Sequence, residues 1–320
     1  EVPAVLSPAP AVPERSAVGL AEWTIMVFMN GKNDIGFAAM DDINEMETVG
    51  SSPKVNVVVQ AGLIETSPDS WVDWDGTRRF LITRAENTSS IRSRLLQDMG
   101  KVDMGDYRTL IDFGKWAKAA YPAKKYMLIV WNHGSGWVKG HPAPDREKGI
   151  SYDERTRHNI DTPQLGRALK AIGGVDVYGS DACLMQMAEV AYEIKDYASY
   201  IVGSEEIEST DGQAYGPFLR AVTAAPEMSA QELSRIAVKS YSAHYQARNA
   251  GYTQSALRSS AVSGLPAYVD DFVLAVWLAG ERQLIRDARD SAVKYSQADN
   301  KDLYDFVRLV VAGTHSGRVK

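Results

Sequence analysis

The chain has one cysteine among 320 residues, Cys183, in the run Tyr178-Gly179-Ser180-Asp181-Ala182-Cys183-Leu184-Met185. Residues 175–179 alternate apolar and polar as a half-buried strand does, while Leu184, Met187, Ala188, Ala191 and Ile194 recur at helical spacing. This pattern predicts a strand leading into a helix, with Cys183 on the first helical turn. Unpaired N–H groups and the positive dipole end favour a thiolate there, the form of cysteine that attacks carbonyl carbon. Such a nucleophile needs a base or cationic neighbour, and the candidates are His133, His141, His158, His244 and His315. His133 directly follows the apolar run 126–131, which reads as a strand covered on both faces of a parallel sheet. His141 and His158 fall in a polar stretch, His244 and His315 in a helical C-terminal part. Parallel strands present their carboxyl ends on one edge, where ligands bind, so His133 and Cys183 should emerge side by side.

The elements that must position this pair follow from the same patterns. Residues 23–29 read as a strand, 30–34 as a turn and 35–48 as a helix; 55–61 is a second, Val-rich strand. A hairpin or short extended pieces are expected over 71–84 around Asp75-Gly76, and a helix over 107–121. Residues 138–159, with Lys139, Arg146, Lys148, Arg155 and Arg157, show no apolar period and should form an exposed loop. Thr162-Pro163 supplies an N-cap and a first-turn proline to the helix that leads to the Cys183 strand. A strand at 200–203, an acidic loop at 205–212, a capping box at Ser229–Glu232 and a helical stretch over 265–296 broken near Gly280 complete the reading. Strands interleaved with helices imply an α/β fold with a mostly parallel sheet. The expected division is a linker or pro-segment remnant at 1–21, a core at 22–225, and a helical C-terminal part at 226–320 packed on it. A net charge of -6 offers no basic field for nucleic acid. One cysteine makes no internal disulfide, and no run is read as approaching the roughly 20 apolar residues of a transmembrane segment.

Three motifs carry a family resemblance: Asn132-His133-Gly134-Ser135-Gly136-Trp137 after one strand, Gly179-Ser180-Asp181-Ala182-Cys183-Leu184-Met185 after another, and the opening Trp23-Thr24-Ile25-Met26-Val27-Phe28-Met29-Asn30-Gly31. Together they resemble the clostripain-like cysteine peptidases, relatives of caspases, gingipains and legumains. The likeness runs over residues 23–216, with Asp302-Leu303-Tyr304-Asp305-Phe306 as a further piece. His133 precedes Cys183 by about 50 residues, the approximate interval found in caspases. The resemblance implies a caspase-like α/β/α sandwich and a secreted or envelope-associated endopeptidase that cleaves polypeptides after Arg or Lys. Carried onto this chain, Cys183 is the nucleophile, His133 the general acid, and the Gly134 and Cys183 backbone N–H groups the oxyanion hole.

A basic P1 side chain calls for a carboxylate. Asp181 resembles the acidic residue that the family places two positions before its cysteine, and Asp211 is a second candidate, with Glu205 and Glu206 behind it. Trp137 stands where it could line the cleft. Members of the family often cut themselves between the His and Cys strands, which points here to Lys148-Gly149, with Arg146 next. Some depend on calcium; Asp34, Asp41 and Asp42 are the acids near the first loop, yet they match no calcium-loop spacing, and Lys32 stands among them. No cofactor is otherwise required. The alternative is a non-catalytic peptide-binding or regulatory protein of the same fold, which the occupied Cys and His positions disfavour; Asn or Asp specificity is the rival among enzymes.

Overall fold

The computed structural model describes residues 19–65, 74–86, 90–137, 149–297 and 299–320. Along the chain lie β1 (Ala21–Gly31), α1 (Gly36–Glu47), β2 (Val55–Leu63), β3 (Gly76–Leu81), β4 (Arg94–Gly100), α2 (Tyr107–Ala120), β5 (Ala123–Trp131), β6 (Ile150–Asp153), β7 (His158–Ile160), α3 (Thr162–Ile172), β8 (Val175–Asp181), α4 (Ala188–Ile194), β9 (Ala198–Gly203), α5 (Tyr215–Ala224) and α6 (Ala230–Gln246). The C-terminal part adds β10 (Ser255–Arg258), α7 (Ser259–Val262), α8 (Leu265–Ala279), α9 (Arg282–Ser291) and α10 (Leu303–Gly313). One sheet has the order β10-β9-β8-β5-β1-β2-β3-β4. Its middle strands β9, β8, β5, β1 and β2 pair in parallel, and the antiparallel strands are at its edges.

Every residue of β1 is buried because helices cover both of its faces. Trp23, Ile25, Val27 and Met29 pack with Ile43 and Met46 of α1, Phe218 of α5 and Leu233 of α6. Met26 and Phe28 point the other way, towards Phe113 of α2, Leu169 of α3 and Val190 of α4. Each buried Ile, Val, Phe or Met contributes about 1.5–3 kcal/mol. Two such layers make this the α/β/α sandwich that the resemblance implied.

The structure departs from the sequence reading in several places. Of the two alternatives expected over 71–84, residues 76–81 form an extended piece, a single strand paired antiparallel with β2 and β4. Within the expected exposed loop, residues 150–153 are a fully buried strand paired with β7. Ser151 and Asp153 are buried by hydrogen bonding and not by apolar contact, which leaves no mark in the sequence pattern. The N-cap of α3 is Asp161, one residue earlier than expected, and Pro163 occupies the second helical position. The C-terminal helices have a small cluster of their own around Val276, Ala288 and Val310. Most of α8 is exposed: the helical stretch Ser259–Ala279 reaches a mean hydropathy of 1.4 with 6% buried, long and apolar enough by length and composition to cross a membrane. This amends the expectation of no such run; within it Pro266, Asp270 and Asp271 interrupt the apolar residues. Residues 1–18, most of the expected linker, lie outside the described residues.

The α3 cap is a capping box in which Asp161 accepts from the Gln164 N–H at 2.6 Å and Gln164 accepts from the Asp161 N–H at 3.0 Å. Asp161→Ala should therefore cost about 1 kcal/mol. Urea denaturation should show a lower midpoint at unchanged slope.

Candidate active site

Strand register brings the two central residues together. β5 and β8 are parallel neighbours in which Trp131 pairs with Asp181, and the Asn132 N–H donates to the Asp181 carbonyl at 3.1 Å. His133 and Cys183 each follow two residues beyond that pair, and both line a cleft of about 70 Å³ with Ile35, Asp181 and Glu208. β1 lies between β2 and β5, so the loops after β1 and β5 part at this edge and leave a crevice. Asp34, from the loop after β1, reaches His133 there, with Oδ1 2.7 Å from Nε2. Of the other histidines, His158 pairs with Asp103, His244 lies near Asp211, and the backbone N–H of His315 donates to Glu281. His141 lies outside the described residues, as do Arg146 and Lys148.

Cys183 is not on a helix. Residues 182–187 form turns, Leu184 takes a positive φ of 61°, and α4 begins only at Ala188. The expected helix-dipole stabilisation of a thiolate is therefore missing, since that effect dies away beyond the first turn. Burial instead pushes the Cys183 thiol upward, opposed by the Glu208 N–H, which donates to Sγ at 3.3 Å. Gly134 is required by close approach: a Cβ would sit 2.3 Å from the Cys183 carbonyl oxygen and 2.8 Å from Met185 Cγ. The glycine thus lets the His turn lie against the Cys turn, a reason distinct from room for a substrate carbonyl.

Beneath the cleft lies a recess rich in buried acid. Asp181 is 7% exposed, accepts from the Tyr215 hydroxyl at 2.8 Å and from the Gln213 N–H at 3.1 Å, and is pushed up to about 6 by burial. Asp42 accepts from Trp131 Nε1 at 2.6 Å; burial, then the charge of Asp181, raises it well above the usual carboxylate range. Asp211 turns away, its carboxylate 3.7 Å from His244 and 3.9 Å from Arg248. Glu205 accepts from Tyr295 and Glu206 from the Ser296 N–H, which ties this acidic loop to the C-terminal part. The Trp137 N–H donates to Met187 Sδ, and its side chain is partly exposed. Asp34 faces His133, Asp41 faces solvent and Asp42 is buried, so these acids diverge. Among the described residues no group of three or more His, Cys, Asp or Glu side chains is arranged to hold a metal.

The hairpin β6–β7 braces the His turn. Ser135 and Gly149 exchange hydrogen bonds: the Ser135 N–H donates to the Gly149 carbonyl at 2.9 Å and the Gly149 N–H to Ser135 Oγ at 3.0 Å. The Tyr152 N–H donates to Asn132 Oδ1 at 2.7 Å, and Asn132 donates in turn to the Asn30 carbonyl. Lys32 and Asp153, 3.6 Å apart and both buried, close the bracket. Sequence reasoning did not single out Asp34 as a partner of His133, nor Glu208 and Asn132. Asn132 stands in the His motif, Asp34 among the acids near the first loop and Glu208 in the acidic loop 205–212, but no local pattern assigns them these partners.

Comparison with known proteins bears on this arrangement. The model of the clostripain family matches residues 27–314. Clostripain from Hathewaya histolytica is 29% identical over 191 residues, which are 54% of this chain and 36% of that protein, so the match spans about a third of the relative's length. Among solved structures, a secreted C11 cysteine protease from Bacteroides thetaiotaomicron, in complex with an irreversible peptide inhibitor, superposes with a TM-score of 0.68 at 21% identity, over 93% of this chain and 80% of that one. An inactive zymogen C11 protease from Parabacteroides distasonis does so at 0.63 and 18% identity, over 91% and 78%. These superpositions confirm the fold.

The buried thiol has a measurable consequence. Because burial lifts Cys183 above the ordinary cysteine value of about 8.5, its alkylation by iodoacetamide in the free protein should keep accelerating beyond that pH. Mass spectrometry of the modified protein across pH 6–10 reads this; a rate already level by about pH 7 would contradict it.

Proposed function

The chain belongs to the clostripain family, and on that premise we propose that it is a cysteine endopeptidase that hydrolyses peptide bonds after Arg or Lys, with Cys183 as nucleophile and His133 as general acid. The observation that supports this most is the shared cleft of the two residues above a buried acid. Sγ gives its proton to His133 as the carbon–sulfur bond forms, and the ring later passes that proton to the leaving amine. Asp34 stabilises the ring while it is charged, at the 2.7 Å separation noted above. The backbone N–H groups of Gly134 and Cys183 meet the oxyanion, and water then hydrolyses the thioester.

Asp181 is the carboxylate for the basic P1 side chain. Its buried position makes a charge-assisted pair strong and an uncharged guest unfavourable. The substrates are polypeptides bearing Arg or Lys. Secretion or attachment to the cell envelope fits a family with a secreted member in Bacteroides thetaiotaomicron.

Self-cleavage at Lys148-Gly149, with Arg146 as the second site, is part of the same proposal. Gly149 and Ile150 are held to Ser135 and Gly134, so a cut there leaves both pieces bound.

Fluorogenic Arg and Lys peptides should be cleaved, and an Asp series should not. Cys183→Ala should abolish the rate, and His133→Ala should lower kcat by about 10²–10⁴-fold. Asp181→Asn should weaken transition-state binding of Arg substrates by about 2–5 kcal/mol. Since Asp181 must be charged to hold a cation and titrates at about 6, kcat/KM for Arg should fall as the pH drops through that value. Equal rates for wild type and Cys183→Ala would remove the enzyme reading in favour of the non-catalytic one. N-terminal sequencing should find a second start at Gly149 in the active protein, with the two fragments co-eluting, and an intact chain for Cys183→Ala.

A further inference from the structure

We propose that Glu208 is a second specificity carboxylate of the cleft, sharing one proton with Asp181 while the recess is empty and surrendering it when a cationic side chain enters. The proposal rests on the reading of this cleft as a basic P1 site.

Glu208 lines the cleft together with His133, Cys183 and Asp181. Its backbone is fixed against the nucleophile, with the N–H donating to Sγ at 3.3 Å, while the Leu184 N–H donates to the Glu206 carbonyl at 3.2 Å. Both carboxylate oxygens are shut off from solvent and none of their contacts is a well-formed hydrogen bond; the groups nearest them are the Asp181 carboxyl, the Ala182 N–H and the Gln254 side chain. A carboxylate in that setting is costly when charged, so it holds a proton or requires a cation. Burial and the neighbouring charge of Asp181 raise it together.

The ionisable groups facing this recess are acids and phenols, with the Cys183 thiol and the His133 ring in the cleft above them. Asp42 and Glu45 come from α1, Asp181 from β8, Tyr215 from α5, and Tyr241 and Tyr245 from α6. The basic side chains His244 and Arg248 of α6 turn instead to Asp211. Two adjacent carboxyl groups in such a place ionise as a pair, the second proton being held until positive charge arrives. The exchange is a proton transfer: the O–H bond of the pair breaks, the proton leaves to solvent, and the guanidinium or ammonium takes its place as counter-charge. Asp181 alone already carries the charge for one cation. Sharing one proton, Asp181 and Glu208 carry a single negative charge in the empty recess, and release of that proton turns a second carboxylate towards the cation.

The test is proton counting. Full-length Cys183→Ala protein is titrated with benzamidine near pH 6.5, in two buffers of different ionisation enthalpy. Release of a substantial fraction of one proton is expected, and release close to zero when Glu208→Gln is added. In the active chain, Glu208→Gln should raise KM for Arg peptides roughly tenfold and move the acid limb of kcat/KM to higher pH, because Asp181 loses the Glu208 hydrogen bond that holds it down. Glu208→Asp, which restores the carboxylate, should restore proton release, and it serves as the reading if the amide variant melts early. Unchanged KM, acid limb and proton count in Glu208→Gln overturn the role of Glu208 alone. If the wild type neither binds benzamidine nor cleaves Arg or Lys peptides, the basic P1 reading itself fails, whatever Glu208 does.

Discussion

The pairing of Trp131 with Asp181 between two parallel strands is the constraint on which the site depends. Strand register is not a local property, because it is set by which side chains are buried on each face and by hydrogen bonds along the whole ladder. Five paired positions from Met127–Val177 to Trp131–Asp181 hold it. A slip of one residue would exchange the side chains that β8 presents to the two helix layers and carry His133 away from Cys183 at the same time. The stability of the sheet and the geometry of the candidate chemistry therefore rest on the same contacts.

Beyond the strand ends the chain is kept in place by close approach and polar bracing. Gly134 allows the His turn to touch the Cys turn, since any Cβ would meet the Cys183 carbonyl. Asn132 ties the end of β1 to the hairpin β6–β7 through its two side-chain hydrogen bonds. Buried amides and carboxylates cost free energy unless they are satisfied, and here the satisfaction is reciprocal across three segments far apart in sequence. A buried hairpin on the far side of the proposed cleavage site explains how a chain cut there could keep its active edge assembled.

The electrostatics of the cleft are set by burial more than by any single partner. The Cys183 thiol and the Asp181 carboxyl are both moved upward by desolvation, and both are countered by backbone N–H groups. In the empty site burial shifts each equilibrium towards its acid form. A cationic side chain above Asp181 reverses that balance locally, which couples recognition of the substrate to the charge state of the groups that meet it. Glu208 joins the two, its backbone on the sulfur and its side chain in the recess.

The sequence by itself determined the layered α/β architecture, the family, and the two residues most suited to chemistry. Apolar runs such as 126–131 and the turn motifs behind them are local signals, legible without a fold. Ser229 and Gly280 likewise marked a helix start and stop where the structure has them. Tertiary structure alone decided that Cys183 precedes its helix, that Asp211 turns to α6, that residues 150–153 are buried, and that Asp34 and Glu208 reach the cleft. Each of these depends on partners many positions away in the chain. A polar side chain carries no mark in sequence of whether it will be solvated or enclosed; that is settled only by what packs over it and which donors it meets there.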